Sequence, residues 1–214
     1  MDDVVRLAMA RWPDVPSVYG WLRLDGRGRW LIKDQPIGNP VVSAFISRNY
    51  LCDDQGRWYF QNGPQQVFVA LDYTPYVCRV WQNEDGTLAA EANTGAPIQG
   101  PDQCWMDEDG GVLLQWGPAI GSVDGQGLGA LANALIGANG EPLDEEGLSH
   151  LIGKGGNSAI GPTLVWNGHH IPVERITRRE VPARFGFDPA PQPPPGLAPC
   201  WADSRGNASA ERGD

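Results

Sequence analysis

The sequence has 214 residues, of which 41% are hydrophobic and 20% are charged, with 28 glycines, 19 prolines and nine tryptophans. This composition excludes a chain that is disordered throughout, and the lack of an apolar run of about 18 residues argues against a membrane-spanning helix. A formal net charge of −10 repels nucleic-acid phosphates and anionic lipids, so we expect neither nucleic acid nor a membrane as a partner.

The first half of the chain predicts two helices and a series of hairpins. Residues 2–11 begin with acidic residues and end in arginine, as expected of an N-terminal helix. Residues 20–34 alternate apolar and polar side chains about an Asp-Gly turn, which predicts a β-hairpin, and residues 41–49 follow helical spacing after a proline. Residues 50–61 predict a second hairpin, and an Asn-Gly turn leads into a strand over 65–72.

The second half predicts a similar alternation of strands, turns and a helix. A strand is predicted over 77–82, and residues 104–117 predict a third hairpin about an Asp-Gly-Gly turn. A helix is predicted over residues 128–136 from its apolar spacing. Residues 163–176 predict a fourth hairpin at an Asn-Gly turn, and 181–187 form the last stretch that we expect to be ordered.

The C-terminal residues differ in composition from the rest. Residues 188–214 are rich in proline, alanine and serine, so they bury too little apolar surface to offset the entropy of ordering, and we predict a disordered tail. The predicted organisation is an N-terminal helix and lead-in, a first α+β repeat, a connector, a second α+β repeat and the tail, over residues 1–18, 19–86, 87–103, 104–187 and 188–214.

Five elements recur in the same order in the two halves, which indicates an internal duplication. Trp21 aligns with Trp105, and the Asn-Gly turn at Asn62 aligns at a larger offset with the turn at Asn167. The second half therefore carries a Gly-rich insertion near 138–162, either a lid or a passive loop. The predicted fold class is α+β: two similar halves, each a β-hairpin, a short helix and further antiparallel strands, with an N-terminal helix and a disordered C-terminal tail.

These elements resemble a known domain family. D-G-x-x-x-W, then P-I, a short helix, D-x-x-G-x-W/Y-Y and a valine-rich strand ending in Asp72-Tyr73-Thr74-Pro75-Tyr76 resemble a proteobacterial family of unknown function. The resemblance implies a duplicated α+β fold and a signalling or ligand-binding role. The start, DD-x-V-x-x-AM-x-RWP-x-VP-x-x-YGWL, resembles that of another uncharacterised proteobacterial family. The match is good over residues 1–82 and loose over 104–187.

The cysteines and the N-terminus predict the compartment. The four cysteines include no C-x-x-C pair and the chain has three histidines, so we expect no metal ion and no other cofactor. The acidic start Met1-Asp2-Asp3 is not followed by the apolar segment of a secretory signal. The sequence therefore predicts a cytoplasmic protein with free thiols.

His170 and Glu174 are the candidates for acid–base chemistry. Their even spacing places them on one face of a strand, where a histidine and a carboxylate can act as a general base. One alternative function is therefore a small hydrolase that uses His170 with Glu174 or with a cysteine. The acidic clusters at Asp53-Asp54 and Asp107-Glu108-Asp109 lack the spacing of calcium loops and are typical of turns.

The leading hypothesis is a non-enzymatic module, with no catalytic residue, that binds an unidentified small molecule or a protein partner, and signalling is the role that this hypothesis suggests. Duplication, many aromatic residues and the lack of a catalytic motif favour a site in the crevice between the halves. The residues expected to line it are Trp21, Trp58, Tyr73, Tyr76 and His170. A third hypothesis is a scaffold or interaction protein, which predicts a flat aromatic patch on the surface.

Overall fold

The computed structural model describes residues 1–12, 15–137, 140–143 and 162–195. The fold class is confirmed: an N-terminal helix precedes two mixed sheets, and each sheet carries one short helix between its strands. Most of the predicted insertion and residues 196–214 of the predicted tail lie outside the described residues. No helix in the described ranges has both the length and the apolar character needed to cross a membrane.

Four helices are described, and local sequence explains their ends. They are α1 (Asp3–Arg11), α2 (Pro40–Arg48), α3 (Gly127–Ala132) and α4 (Val181–Phe185). Helix α2 begins at a proline, and the Asn39 side chain before it accepts a hydrogen bond from the amide of Val41 at 2.9 Å. Helix α4 ends where Gly186 adopts a left-handed backbone conformation, with φ of 67°.

The first sheet has six strands. They are β1 (Val18–Leu24), β2 (Trp30–Ile32), β3 (Gln35–Pro36), β4 (Tyr50–Cys52), β5 (Trp58–Asn62) and β6 (Gln65–Leu71). Their order across the sheet is β3-β2-β1-β6-β5-β4. The central pair, β1 and β6, is parallel, and every other pair in this sheet is antiparallel.

The second sheet has nine strands. They are β7 (Tyr76–Gln82), β8 (Leu88–Ala92), β9 (Pro97–Ile98), β10 (Gln103–Met106), β11 (Val112–Trp116), β12 (Ala119–Val123), β13 (Leu135–Ile136), β14 (Thr163–Trp166) and β15 (His169–Arg175). Their order is β13-β14-β15-β10-β11-β12-β7-β8-β9, with β10 parallel to β15 and β12 parallel to β7.

The two halves share one topology. In the first sheet the opening and closing strands, β1 and β6, pair in parallel at the centre, and in the second sheet β10 and β15 do the same. Outside the opening strand lie the next two strands of the chain, β2 and β3 in the first sheet and β11 and β12 in the second. Outside the closing strand lie the two strands that precede it, β5 and β4 or β14 and β13. Helices α2 and α3 each connect these two groups of strands. The second sheet differs by the three additional strands β7 to β9 at one edge.

The four hairpin turns predicted from the sequence are present, and three of them share one geometry with the turn between β7 and β8. Asp25, Asp53, Asn83 and Asp107 each accept, through the backbone carbonyl, a hydrogen bond from the amide of a glycine three residues later. These glycines have φ between 75° and 83°, a conformation that other residues adopt at a cost. The repeated turn aligns Asp25 with Asp107, so Trp21 is not the structural counterpart of Trp105.

The alternating residues of the second sheet divide between two apolar clusters. Leu113 belongs to the cluster between the two sheets, together with Leu24 and Tyr50 of the first half. Its neighbour Leu114 belongs to a cluster on the other face of the second sheet, which includes Leu131 of α3. Both leucines are fully buried, so β11 is covered on both faces.

The end of the described chain crosses back to the first half. We call residues 181–189 the strap. The amide of Asp188 donates to the carbonyl of Gly56 at 2.9 Å, and the amide of Leu71 donates to the carbonyl of Pro189 at 2.8 Å. Phe187 is buried in the cluster between the sheets. Residues 188 and 189, the first two of the predicted tail, are therefore part of the packed fold.

One predicted helix is shorter than expected. The apolar spacing predicted a helix over residues 128–136, but α3 ends at Ala132 and residues 135–136 form strand β13. The amide of Ala134 still donates to the carbonyl of Leu131, and Leu135 then pairs with Leu164 of β14. Pairing with β14 thus takes precedence over local helical spacing.

Candidate functional site

Trp58 and Tyr76, two of the predicted site residues, lie together where the first sheet meets the second. Their ring centroids are 5.1 Å apart with an interplanar angle of 77°. Both rings also contact the buried ring of Tyr50, whose hydroxyl donates to the carbonyl of Pro75 at 3.0 Å. These contacts place both residues in the junction between the sheets, where edge-to-face packing stabilises the fold.

Tyr73 takes part in a partly buried polar cluster with Asp107 and Arg178, which we call the latch. Its hydroxyl donates to the carboxylate of Asp107 at 2.9 Å, and Arg178 donates to the same oxygen at 3.1 Å. The guanidinium of Arg178 also lies 3.7 Å from the centroid of the Tyr73 ring. The Asp107 side chain is 0% exposed and accepts two further hydrogen bonds, from the amides of Asp109 and Gly111.

The latch is suited to holding the chain together rather than to chemistry. Burial, followed by the hydrogen bond to Asp107, raises the pKa of the Tyr73 hydroxyl well above its usual range, so Tyr73 remains a neutral donor. Asp107 carries the negative charge, and Arg178 balances it from the segment before α4. The cluster therefore connects three distant parts of the chain through charge-assisted hydrogen bonds.

The two histidines that the structure describes lie apart from any assembled catalytic group. His169 and His170 are both exposed on β15, and Glu174 on the same strand accepts a hydrogen bond from the side chain of Gln103 at 3.0 Å. Within the described ranges, no three histidine, cysteine or acidic side chains are placed to hold a metal ion. The geometry gives no support to acid–base catalysis by His170 with Glu174.

The described cysteines are poor candidates for a nucleophile. Burial raises the pKa of the Cys104 thiol to about 12, and burial also raises the pKa of Cys78 well above its usual range. Cys52 is exposed, yet partial burial and the nearby Asp53 carboxylate raise its pKa. Each thiol is therefore stabilised in its protonated, less nucleophilic form.

Trp21 lines a cavity of about 560 Å³, which we call the α2 cavity. Helix α2 forms one wall, and the first sheet forms the other. The side chains that line it are almost all apolar: Val18, Trp21, Leu22, Ile32, Val42, Phe45, Ile46, Phe60 and Val67, with Asn62 and Gln65 as the polar members. No residue with an ionisable side chain is among them.

The walls of the α2 cavity follow from the sequence of α2 and of the sheet. Val42, Phe45 and Ile46 are spaced so that they share one face of the helix. Ile46 is buried, whereas Val42 is 40% exposed, and Ile32 on the opposite wall is 44% exposed. The helix therefore closes on the sheet at one end and leaves it open at the other.

Trp21, which lines the α2 cavity, carries an unsatisfied polar group. The indole nitrogen of Trp21 is buried and has no hydrogen-bond partner among the described residues. The ammonium group of Lys33 lies 3.9 Å from the centroid of the same ring, which is a cation–π contact. A buried N–H without an acceptor is uncommon, because it loses its hydrogen bonds to water.

The structure does not bring the five predicted site residues together. Trp21 lines the α2 cavity, Trp58 and Tyr76 lie in the junction between the sheets, Tyr73 belongs to the latch and His170 is exposed on β15. Sequence reasoning missed the helix residues of the cavity. Their signal was present, because the helical spacing of residues 41–49 already marked an apolar face.

The fold and the site together define a class: a small α+β module with two sheets of one topology and an apolar cavity against the first. Within that class, the chain belongs to the family described as "Protein of unknown function (DUF2946)", because the family's model, DUF2944, matches residues 1–192. The predicted membership of a family of unknown function is confirmed.

Two solved structures of DUF1285 family proteins are similar to the chain. One, from Silicibacter pomeroyi DSS-3, is 14% identical with a TM-score of 0.49, and the match covers 80% of this chain and 94% of that one. The other, from Shewanella baltica OS155, is 14% identical with a TM-score of 0.36 and covers 49% and 84%. No curated protein matches the sequence.

Proposed function

We propose that this protein is a non-enzymatic binding module that holds a small, uncharged and largely apolar molecule in the α2 cavity. The observation that carries the proposal is a cavity of about 560 Å³ whose lining is almost entirely apolar and includes the ring of Trp21. Binding sites for small molecules typically have volumes of about 300–1,000 Å³ and a few polar groups among apolar walls. The α2 cavity fits that description.

The walls specify the chemistry of the ligand. Since no ionisable side chain lines the cavity, a charged ligand would lose its hydration without gaining a counter-ion. An apolar ligand would instead remove the exposed parts of Ile32 and Val42 from water, which is favourable. The side-chain amides of Asn62 and Gln65, the polar members of the lining, favour a ligand with one hydrogen-bond acceptor.

The shared topology supports the duplication as the origin of this cavity. In the second half, Leu131 of α3 is buried among residues of the second sheet, and α3 also packs against the additional strand β7. The first sheet has no equivalent of β7 at its β3 edge. We infer that the two halves diverged after duplication, with the first unit at 18–71 and the second at 103–175, and that the first kept an open face.

The finer parts of the proposal are a cytoplasmic location and a signalling role. Unpaired, buried Cys78 and Cys104 are suited to a reducing compartment. A binding module in a signalling role has to affect another protein. We therefore propose that a ligand in the α2 cavity changes how strongly this protein binds a protein partner. The scaffold hypothesis is less favoured, because the exposed large aromatic residues in the described ranges, Trp12 and Trp81, lie on different elements.

A matched pair of substitutions on α2 tests the proposal. Val42 lines the cavity, whereas its neighbour Val41 is 73% exposed and does not. Val42→Trp should fill the cavity and weaken binding of the neutral fluorescent probe N-phenyl-1-naphthylamine by about tenfold or more, while Val41→Trp should bind it like the wild type. Circular dichroism of both variants controls for folding.

Equal probe binding by the two variants would refute the α2 cavity as the site. Native mass spectrometry of freshly purified protein adds a second test that needs no chosen probe. A co-purifying neutral molecule should be present in the wild type and in Val41→Trp and absent from Val42→Trp. A negatively charged adduct that both variants retain would contradict the proposed ligand class.

A further inference from the structure

A second cavity lies on the other side of α2, between the first half and the β8–β9 turn of the second sheet. We call it the crevice; its volume is about 490 Å³. The β1–β2 turn and α2 supply one side, and the turn between β8 and β9, residues 93–95, supplies the other. None of the five residues expected to line a site between the halves lines the crevice.

Two arginines and no acidic residue line the crevice. Arg29 comes from the β1–β2 turn and Arg48 from the last turn of α2. Their side chains are 49% and 55% exposed, respectively, so solvent and solutes reach both guanidinium groups. Two cationic side chains beside one cavity are notable in a chain with a net charge of −10, because most of its surface repels anions.

Each arginine has a carboxylate partner that leaves it able to bind a ligand. Asp25 accepts from Nε and Nη2 of Arg29 at 2.8 and 2.7 Å, which fixes one edge of the guanidinium. A guanidinium has five N–H groups, so Arg29 keeps donors on its other edge. Asp2 contacts Arg48 at 3.4 Å through both oxygens, which is a long, exposed pair that a better acceptor can replace.

The β4–β5 turn provides an internal comparison. Asp53 holds Arg57 at 2.8 Å just as Asp25 holds Arg29. The Arg57 guanidinium, however, lies 4.7 Å from the centroid of the Phe68 ring, and its side chain is only 24% exposed. The same turn thus buries its arginine against a ring at one position and presents it to a cavity at the other.

Neutral donors and an apolar wall complete the crevice. Ser43 and Thr94 are among its lining residues, and each has a neutral hydroxyl that can donate. Its apolar lining residues are Trp30, Pro36, Ile37 and Ala44. The N–H groups of the two guanidiniums and these hydroxyls together outnumber the acceptor sites of a carboxylate, and a phosphate monoester has the larger number of acceptors that they require.

We propose that the crevice binds a small organic phosphate, with the phosphate group held by Arg29 and Arg48 and its organic part against Trp30 and Ile37. This site is separate from the α2 cavity and does not rest on the function proposed above. The two cavities differ in chemistry: one is lined by two cations, and the other has no ionisable side chain.

Calorimetric titration with phenyl phosphate and with inorganic phosphate tests the proposal. Wild-type protein should bind phenyl phosphate saturably and more tightly than inorganic phosphate. Arg48→Gln should weaken binding of phenyl phosphate by about tenfold or more, since it removes a charge-assisted contact. Arg79→Gln is the matched control, because Arg79 is an exposed arginine of β7 that pairs with Glu91 outside the crevice.

Ser43→Asp keeps the test decisive if loss of an arginine perturbs the fold. Residue 43 lies near the start of α2, where a negative side chain is compatible with the helix dipole, so this variant should fold. Its carboxylate should nevertheless repel the phosphate and weaken binding by about tenfold or more. Urea unfolding of each variant confirms that the fold is retained.

Three results would overturn the proposal. They are the absence of saturable phenyl phosphate binding by the wild type, equal affinities for Arg48→Gln and Arg79→Gln, and binding of benzoate as tight as that of phenyl phosphate. Val42→Trp separates the two sites: it should leave phenyl phosphate binding unchanged, and a loss there would assign that ligand to the α2 cavity instead.

Discussion

Replacement of Gly56 by alanine should detach the strap from the first half. Gly56 has φ of 75°, and a methyl group on it would collide with the carbonyl oxygen of Gly186 and lie 3.0 Å from the Cα atom of Phe187. Gly86 occupies the same position in the β7–β8 turn with φ of 83°, and its nearest neighbour would be the flexible side chain of Gln82 at 3.9 Å. Gly86→Ala is therefore a matched control.

The two substitutions share one cost and differ in another. Each places alanine in a left-handed conformation, at about 1–2 kcal/mol. Only Gly56→Ala displaces the strap, which breaks its hydrogen bonds at Gly56 and Leu71, worth about 1 kcal/mol each, and exposes Phe187, worth about 1.5–3 kcal/mol. We expect Gly56→Ala to reduce the free energy of unfolding by about 3–5 kcal/mol more than Gly86→Ala.

Urea unfolding of both variants measures this difference, and hydrogen exchange locates it. The amides of Leu71 and Asp188, which bond across the strap, should exchange faster in Gly56→Ala and at the wild-type rate in Gly86→Ala. Phe187→Ala removes the apolar anchor without a collision and should accelerate the same two amides. Free energies of unfolding within about 0.5 kcal/mol of each other for the two glycine variants would refute the reasoning.

Three further predictions concern the latch, a turn and the thiols. Tyr73→Phe should lower the free energy of unfolding in urea by about 1.5–3 kcal/mol, because it removes a donor to the buried Asp107 carboxylate. Although burial opposes ionisation of Asp53, hydrogen bonds from Arg57 lower the pKa of this carboxyl in the folded state. The ionised carboxylate therefore contributes fully to stability above the unfolded-state pKa of about 3.9, and this contribution is lost as the pH falls through the lower folded-state pKa. Asp53→Asn should therefore flatten the fall in stability between about pH 5 and pH 2. Iodoacetamide should modify Cys52 in the native protein and spare Cys104, as peptide mass mapping would show.

Each of these predictions has a clear contrary result. A Tyr73→Phe variant as stable as the wild type would mean that the latch hydrogen bond contributes nothing to folding. If the stability of Asp53→Asn falls between about pH 5 and pH 2 as steeply as that of the wild type, groups other than Asp53 cause the loss of stability in acid. Modification of Cys104 at the rate of Cys52 would show that the second sheet opens readily.

The sequence was sufficient to predict the local elements. The hairpins formed as expected because Asp-x-x-Gly and Asn-Gly turns depend on neighbouring residues alone. Helix α2 also begins within one residue of the prediction, since its proline and asparagine cap are local signals. Helix α3 is shorter than predicted because its last residues pair with β14, which follows a long insertion.

The assembled sites could not be predicted in the same way. The buried carboxylate of Asp107 forms an ion pair with Arg178, which is far along the chain. Nothing in the sequence near either residue indicates that pairing. The α2 cavity likewise forms only where a helix fails to close fully on a sheet, which depends on packing between distant segments.

The strap also has a consequence for the order in which the protein is made. The turn that it covers, at Arg57, is paired with Asp188, so more than half of the chain separates the two partners. A ribosome releases the first sheet well before the residues that complete it, and contacts of such high contact order form late. The nascent first half therefore lacks the strap and the packing of Phe187 in its apolar cluster until the whole second half has been synthesised.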